Sequence, residues 1–101
     1  MFTFTDHSRR RAAQRNLSEV DIEYVFTYGQ YFPRAGAEFY FLRRRDIREW
    51  ELDSDLCRLA GTAIILAKDG QTLLTTWRNR RSGLKNIRRK RERSARKEEW
   101  A

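Results

Sequence analysis

This sequence has few residues of the kinds that build disulfides, metal sites and nucleophilic centres. It contains one cysteine, Cys57, and one histidine, His7, in 101 residues. A single cysteine excludes an internal disulfide and both common zinc patterns, and it fits a reducing, cytoplasmic location. We therefore expect no metal and no cofactor. A nucleophile and base formed by Cys57 and His7 would require the chain near Arg58 to fold back on the first helix.

Long apolar segments are also absent from the sequence. No stretch approaches the roughly 20 apolar residues that a membrane-spanning helix needs, so we expect no membrane partner. The segment of residues 2–4 is too short, and its flanks are too polar, for a signal peptide. Proline occurs once, at Pro33, and together with Gly36 it predicts a loop over residues 30–36.

The positive charge of the chain is concentrated in its C-terminal quarter. The formal net charge is +8, from 22 lysine and arginine residues against 14 aspartate and glutamate residues. Residues 1–77 contain 11 of each sign, so residues 78–101 carry the whole excess. Such a segment attracts polyanions through counterion release, and nucleic acid is the commonest partner of this kind. The alternative is a solvated tail that keeps the domain in solution.

The strongest structural signal is a β-hairpin over residues 61–78. The apolar run of residues 63–67 is followed by the turn sequence Lys68-Asp69-Gly70 and by the β-branched and aromatic run of residues 72–77. Asp-Gly between two such runs is typical of a hairpin, because glycine accepts the positive φ that the turn requires. The first strand is apolar on both faces, so we expect it in the middle of a sheet with a layer packed on each side.

Two helices are predicted before the hairpin. Thr5 or Asp6 is a suitable N-cap for the first helix. Ser18, with Asp21 three residues later, forms a variant of the capping box that opens a second helix, which we expect to end at Gly29. The buried stripe of the second helix is predicted from its apolar residues, Val20, Ile22, Val25 and Phe26.

The remaining segments complete the predicted fold. Residues 37–42 are a strand by β-propensity, and residues 46–60 are expected to form one or two short helical turns. The order α-α-β-β-β predicts an α+β domain over residues 1–81, with two N-terminal helices packed on one face of a small antiparallel sheet. Residues 82–101 are predicted to be a basic tail, helical or disordered, because this segment contains too few large apolar residues to pack against a core.

Histidine and arginine recur at helical spacing in the first predicted helix. His7, Arg11 and Arg15 are four residues apart and share one stripe. The helix dipole disfavours a cationic histidine near the N-terminus, so the imidazole can act as a base near neutral pH. Metal-independent RNA cleavage needs a base for the 2′-hydroxyl proton and cations for the transition state. The alternative is that His7 lies in solvent and the arginines form a surface face.

Short motifs over residues 4–80 follow a recognisable pattern. They are Asp6-His7-Ser8 with Arg11, Gln14-Arg15-Asn16-Leu17-Ser18, Asp21-Ile22, Asp69-Gly70 and Leu74-Thr75-Thr76-Trp77-Arg78-Asn79-Arg80. In these motifs the chain resembles a family of small bacterial domains grouped with the RelE-like and barnase-like (BECR-type) toxin nucleases. The resemblance implies N-terminal helices on an antiparallel sheet and metal-independent cleavage of RNA. It marks five residues, His7, Arg11 and Arg15 on the helix and Thr75 and Arg78 on the last strand.

Three functions are compatible with these features, and the sequence does not choose between catalysis and binding. A ribonuclease would use His7 as the base, with Arg11, Arg15 and Arg78 holding phosphates. A nucleic-acid-binding module would bind through basic residues near the C-terminus, namely Arg80, Arg81, Lys85, Arg88, Arg89, Lys90 and Arg91. An interaction protein would use the tail to bind an acidic protein, such as an antitoxin-like partner or a ribosomal protein. We expect RNA rather than DNA as the nucleic acid.

Overall fold

The structure is a computed structural model that describes residues 2–48 and 55–90. Within these ranges the chain is an α+β fold of three α-helices and one five-stranded sheet. The helices are α1 (Asp6–Gln14), α2 (Glu19–Tyr28) and α3 (Gly83–Arg89). The strands are β1 (Thr3–Phe4), β2 (Gln30–Arg34), β3 (Ala37–Phe41), β4 (Thr62–Leu66) and β5 (Thr72–Arg78).

The sheet is larger than predicted, and it is mixed rather than antiparallel. Its strand order is β1-β5-β4-β3-β2, and β1 pairs with β5 in parallel whereas the other pairs are antiparallel. The prediction of a loop over residues 30–36 is wrong, because most of this segment is β2. Pro33 is tolerated in β2 because this strand lies at the edge of the sheet, where alternate residues need no backbone N–H partner in the sheet.

The predicted hairpin is confirmed as β4 and β5. All five residues of β4 are buried in the middle of the sheet, as expected for a strand that is apolar on both faces. In the turn, Oδ1 of Asp69 accepts hydrogen bonds from the backbone N–H groups of Gln71 at 2.9 Å and Thr72 at 2.8 Å. Gly70 adopts a φ of 72°, which glycine reaches without steric cost.

The two N-terminal helices begin at the predicted caps. Thr5 caps α1, and its side chain accepts a hydrogen bond from the backbone of Ser8 at 3.0 Å. At α2 the backbone N–H of Asp21 donates to Ser18 Oγ at 3.1 Å, and the backbone N–H of Ser18 donates to Asp21 Oδ2 at 3.0 Å. α2 ends at Gly29, as predicted. These reciprocal bonds satisfy backbone N–H groups that have no partner within the first turn of a helix.

Helices cover both faces of the sheet. On one face, α1 and α2 pack over a cluster formed by Ala12, Leu17, Ile22, Val25, Leu42, Ile47, Leu59, Ile64, Leu66 and Leu73. On the other face, α3 contributes Ile87 to a second cluster, whose other members are Phe32, Ala37, Phe39, Phe41, Ala63 and Ile65. The predicted stripe of α2 is correct for Ile22 and Val25, which are fully buried, and wrong for Val20 and Phe26, which are 70% and 38% exposed.

The packed part of the chain extends to α3, beyond the two helices that were predicted. Ile87 is fully buried and Leu84 packs at the edge of the same cluster. The expectation that residues 82–101 pack against no core is therefore wrong for α3, because two apolar side chains suffice to seat so short a helix. Residues 91–101 of the predicted tail lie outside the described residues. Of the segment 46–60, Asp55–Leu59 forms a 3₁₀ turn, and residues 49–54 also lie outside the described residues.

Candidate functional site

Three strands bring separate arginine-containing segments to one end of the sheet. β3 ends at Phe41, shortly before Arg43, while β4 begins at Thr62 and β5 ends at Arg78. Because these strands are antiparallel neighbours, their ends meet, and the register pairs Thr62 directly with Arg78. The Nε of Arg78 donates to Thr62 Oγ1 at 3.2 Å. We call this the arginine end of the sheet, and the opposite end, with the β2–β3 and β4–β5 turns, the turn end.

Arg78 is half-buried among other arginines. Burial lowers the pKa of Arg78, and the guanidinium groups of Arg80, Arg58 and Arg15 lower it further. The carboxylate of Asp21 acts in the opposite direction. Arginine does not lose its proton in proteins, so the lowered pKa of Arg78 indicates only that this side chain lies in a region of high positive charge. We call Arg15, Arg58, Arg78 and Arg80 the arginine cluster.

Arg58 is the member of the cluster that neutralises carboxylates. Its Nη2 donates to Asp21 Oδ2 at 2.8 Å, its Nε to Asp55 Oδ2 at 2.8 Å, and its Nη1 to the backbone oxygen of Asn16 at 3.3 Å. Burial raises the pKa of Asp21, but hydrogen bonds from Arg58 and Ser18 outweigh burial and hold that pKa below its usual value. Asp21 is therefore ionised and hydrogen-bonded, which makes it a weak general base.

Two buried polar atoms lie on α1 and β5 near the cluster. The Nε of Arg15 and the Oγ1 of Thr76 have no hydrogen-bond partner in the part of the chain that the structure describes. Arg15 is the C-cap of α1, and Thr76 lies two residues before Arg78, on the same face of β5. Buried polar groups are normally hydrogen-bonded, and exceptions are common where water or an ion completes the set. Both atoms therefore have hydrogen-bonding capacity that no described residue uses.

The structure brings only part of the predicted α1 stripe to the cluster. His7 is exposed in the first turn of α1, eight residues before Arg15, which is roughly 12 Å along a helix axis. Arg11 lies between them, and its Nη1 donates to Gln14 Oε1 at 3.4 Å. Among residues 2–48 and 55–90, no hydrogen bond or ion pair of His7 is found. Arg15 thus lies near enough to Arg78 for its charge to lower the pKa of Arg78, whereas His7 lies about 12 Å farther along α1.

Two residues marked on or after the last strand are placed differently from Arg78. Thr75 is paired with Ile65, whose side chain belongs to the α3 face, so Thr75 lies on the opposite face of β5 from Arg78. Arg80 donates from Nε to the carbonyl of Ala60 at 3.0 Å and from Nη2 to the carbonyl of Arg58 at 3.1 Å. These bonds hold the Arg80 side chain in one position within the cluster.

The basic residues in α3 and directly beside it are exposed to solvent. Arg88 lies over the ring of Phe32 at 5.9 Å, and the Nζ of Lys90 lies 5.8 Å from the ring centre of Phe39. The other predicted nucleic-acid-binding residues in the described ranges, all exposed, are Arg81, Lys85 and Arg89. Arg91 lies outside those ranges. The α3 cations therefore extend the positive surface from the arginine end along the α3 face.

A cavity of about 610 Å³ opens at the arginine end, on the side of α3. We call it the arginine-rich cavity, and its principal lining residues are Phe41, Arg43, Arg44, Arg80, Arg81 and Leu84. Sequence reasoning singled out Arg80 and Arg81 but missed Arg43, Arg44 and Arg58. The run Arg43-Arg44-Arg45 was a visible signal, whereas nothing in the sequence around Arg58 indicates that it folds against Asp21.

Comparisons with known proteins found no match, so only the residues of this chain indicate its function. No protein-family model matches this chain, and neither does any curated protein or solved structure. The resemblance to toxin nucleases therefore rests on the sequence motifs alone. Within the described residues, no three His, Cys, Asp or Glu side chains are grouped to hold a metal ion. No helix there has the length and apolar character needed to cross a membrane.

Proposed function

We propose that this protein binds RNA at the arginine end of its sheet, with Arg15 and Arg78 contacting phosphates. The observation that carries the proposal is the convergence of four guanidinium groups from three separate segments around the end of β5. Guanidinium presents paired N–H donors that match phosphate oxygens, and such charge-assisted hydrogen bonds are stronger than neutral ones. A phosphate would offset the mutual repulsion of the cluster and supply acceptors to Arg15.

The charge of the arginine end supports this proposal. Three described carboxylates lie there, and each is in an ion pair: Asp46 with Arg43, and both Asp21 and Asp55 with Arg58. The arginines there that pair with no described carboxylate are Arg15, Arg44, Arg45, Arg78, Arg80 and Arg81. The basic residues from 78 onward add affinity that is independent of sequence, because each neutralised phosphate releases counterions. Positive charge is thus in excess where the cluster opens to solvent.

The choice of RNA over DNA follows from the α1 motif, and a cytoplasmic role follows from the single cysteine. His7, Arg11 and Arg15 resemble the helix of domains grouped with RNA-cleaving toxins, and unpaired RNA bases suit a surface with cavities between arginines. A duplex DNA of the same length is the control for this choice. Binding that is equal for both nucleic acids at matched salt would argue for a general polyanion site.

The test compares RNA binding by the full chain and by two variants. We expect Arg15→Ala/Arg78→Ala to bind a fluorescent single-stranded RNA about a hundredfold more weakly at low salt, since each lost charged hydrogen bond costs about 1.5 kcal/mol or more. The slope of log K against log salt should fall by about 1.4, because two phosphate contacts are removed.

Arg9→Ala/Arg10→Ala is the matched control for this test, because it also removes two positive charges. Arg9 and Arg10 are exposed arginines of α1, outside the cluster. An equal loss of affinity in the two double variants would show that only net charge matters. Capture of a protein but no RNA from a lysate would favour the antitoxin-like or ribosomal partner instead.

A second candidate is metal-independent cleavage of the bound RNA. The observation that favours it is that α1 carries exposed His7 and half-buried Arg11 on the side that leads to Arg15. A phosphate farther along the same RNA chain would then lie beside His7, which would take the 2′-hydroxyl proton. Cleavage of RNA in EDTA by the protein, lost in His7→Ala with RNA binding retained, is the expected result. Equal cleavage by both proteins, or none by either, counts against this candidate.

A further inference from the structure

The arginine-rich cavity differs from the arginine cluster because large apolar side chains line it as well. Phe41 and Leu84 line the cavity together with four arginines. Its volume of about 610 Å³ is within the range of pockets for small organic ligands and is larger than a lone phosphate needs. A ligand suited to this cavity has a flat apolar part and a negatively charged part.

Two of the cavity's arginines are held rigidly by hydrogen bonds. Arg43 donates from Nε to Asp46 Oδ2 at 2.9 Å and from Nη2 to Asp46 Oδ1 at 2.8 Å. Arg80 is fixed by its two bonds to the backbone carbonyls of Ala60 and Arg58. A fixed guanidinium is a planar surface, and unpaired bases stack on such planes as they do on aromatic rings. These two side chains are therefore pre-arranged walls for a flat ring.

The other two arginines are available for an anion. Arg44 and Arg81 are exposed, and their side chains make no hydrogen bond or ion pair with another described residue. Each guanidinium carries five N–H donors and no acceptor, so both can bind phosphate oxygens. The lining of the cavity therefore combines two guanidinium groups that are fixed by hydrogen bonds with two that can adapt to an anion.

We propose that the arginine-rich cavity binds a nucleoside monophosphate unit, with the base between Arg43 and Arg80 over Phe41 and Leu84, and the phosphate held by Arg44 and Arg81. The same unit occurs as a free nucleotide and as the 5′-phosphorylated end of an RNA chain. For the second source, this inference rests on the RNA binding proposed above. For the first source it is independent.

Cys57 provides a direct readout of cavity occupancy. It is the only cysteine of the chain, it is half-buried, and it lines the same cavity. A bound nucleotide would cover it, and access limits the alkylation of a thiol. At a ligand concentration ten times the dissociation constant, alkylation of the full chain should be about tenfold slower.

The experiment measures the alkylation rate of Cys57 by mass spectrometry with each of four nucleoside 5′-monophosphates. Ribose 5-phosphate and inorganic phosphate are the ligands without a base. We expect protection by at least one nucleotide and by neither control ligand. Arg44→Ala/Arg81→Ala should lose the protection, and Arg45→Ala should keep it. Arg45 is a matched control because it is exposed, follows Arg44, and does not line the cavity.

Two RNA oligomers of one sequence, with a 5′-phosphate or a 5′-hydroxyl, distinguish the sources. Protection by the 5′-phosphorylated oligomer alone supports the RNA end, and protection by mononucleotides as well supports both sources. The inference is overturned if no mononucleotide and no oligomer protects Cys57, or if inorganic phosphate or ribose 5-phosphate protects equally well. RNA binding measured by fluorescence anisotropy separates the two proposals, because it can persist while Cys57 stays unprotected.

Discussion

The two ends of the sheet are stabilised in different ways. At the turn end, Asp69 bonds to Gln71 and Thr72, two and three residues away in sequence. At the arginine end, Arg58 reaches Asp21 over 37 residues and Arg80 reaches Ala60 over 20 residues. These side-chain bonds at the turn end are local, whereas the long-range bonds of Arg58 and Arg80 at the arginine end exist only when the whole fold has assembled. A substitution far from the arginine end in the sequence can therefore disturb this site.

The largest effect is expected from Gly61→Ala, which introduces a methyl group at the arginine end. Gly61 has a φ of 85°, and a Cβ there would lie 2.4 Å from Arg80 Cγ and 2.8 Å from Arg80 Cα. The left-handed conformation and the overpacking together should cost about 3 kcal/mol of unfolding free energy. Urea denaturation measures the loss. A cost below that of a matched turn-end variant would show that Arg80 moves aside freely.

Asp21→Asn should cost about 2 kcal/mol at neutral pH, because Arg58 loses its ionised partner and α2 loses part of its capping box. The folded protein holds the pKa of Asp21 below its unfolded value, so the stabilisation is present above about pH 4. It is lost as the pH falls through the lowered pKa. The difference between the two proteins should therefore shrink in acid, and a constant difference down to pH 2 would contradict the ion-pair explanation.

Phosphate should stabilise the arginine end selectively. At a concentration ten times its dissociation constant, an anion bound only by the folded protein adds about 1.4 kcal/mol, which raises the Tm of a domain of this size by several degrees. Chloride at equal ionic strength is the control salt. Arg15→Ala/Arg78→Ala should show a much smaller rise in differential scanning calorimetry. An unchanged rise in this variant would place the bound phosphate elsewhere.

The smallest effect is expected from Gly70→Ala at the turn end. Gly70 has a φ of 72°, and a Cβ there would meet no atom within 4 Å. Only the left-handed conformation is penalised, so the cost should be about 1 kcal/mol. Because the turn end is remote from the cluster, RNA affinity should not change. A loss of RNA affinity in this variant would show that the two ends are coupled through β5.

Local patterns predicted most of the secondary structure. Thr5, Ser18 and Asp69 bond through their side chains to residues two or three positions away, and the backbone N–H of Gly29 bonds to the carbonyl of Val25. Because these contacts are local, single-sequence reasoning found these helix ends and this turn. Pro33 misled the prediction for β2, since its tolerance depends on which strand lies at the edge of the sheet. Val20 has the right residue type for a buried stripe, but its exposure depends on how α2 sits on the sheet.

The sequence alone determined the α+β class, the central hairpin and the two capped helices, since their stabilising contacts lie within a few residues. It also placed the excess positive charge in the C-terminal quarter. Only the tertiary structure decided that Arg58 reaches Asp21, that Ile87 is buried, and that Arg15 lies near Arg78 while His7 lies farther along α1. These contacts join residues far apart in the chain, and the strand register and helix packing that create them have no local signature.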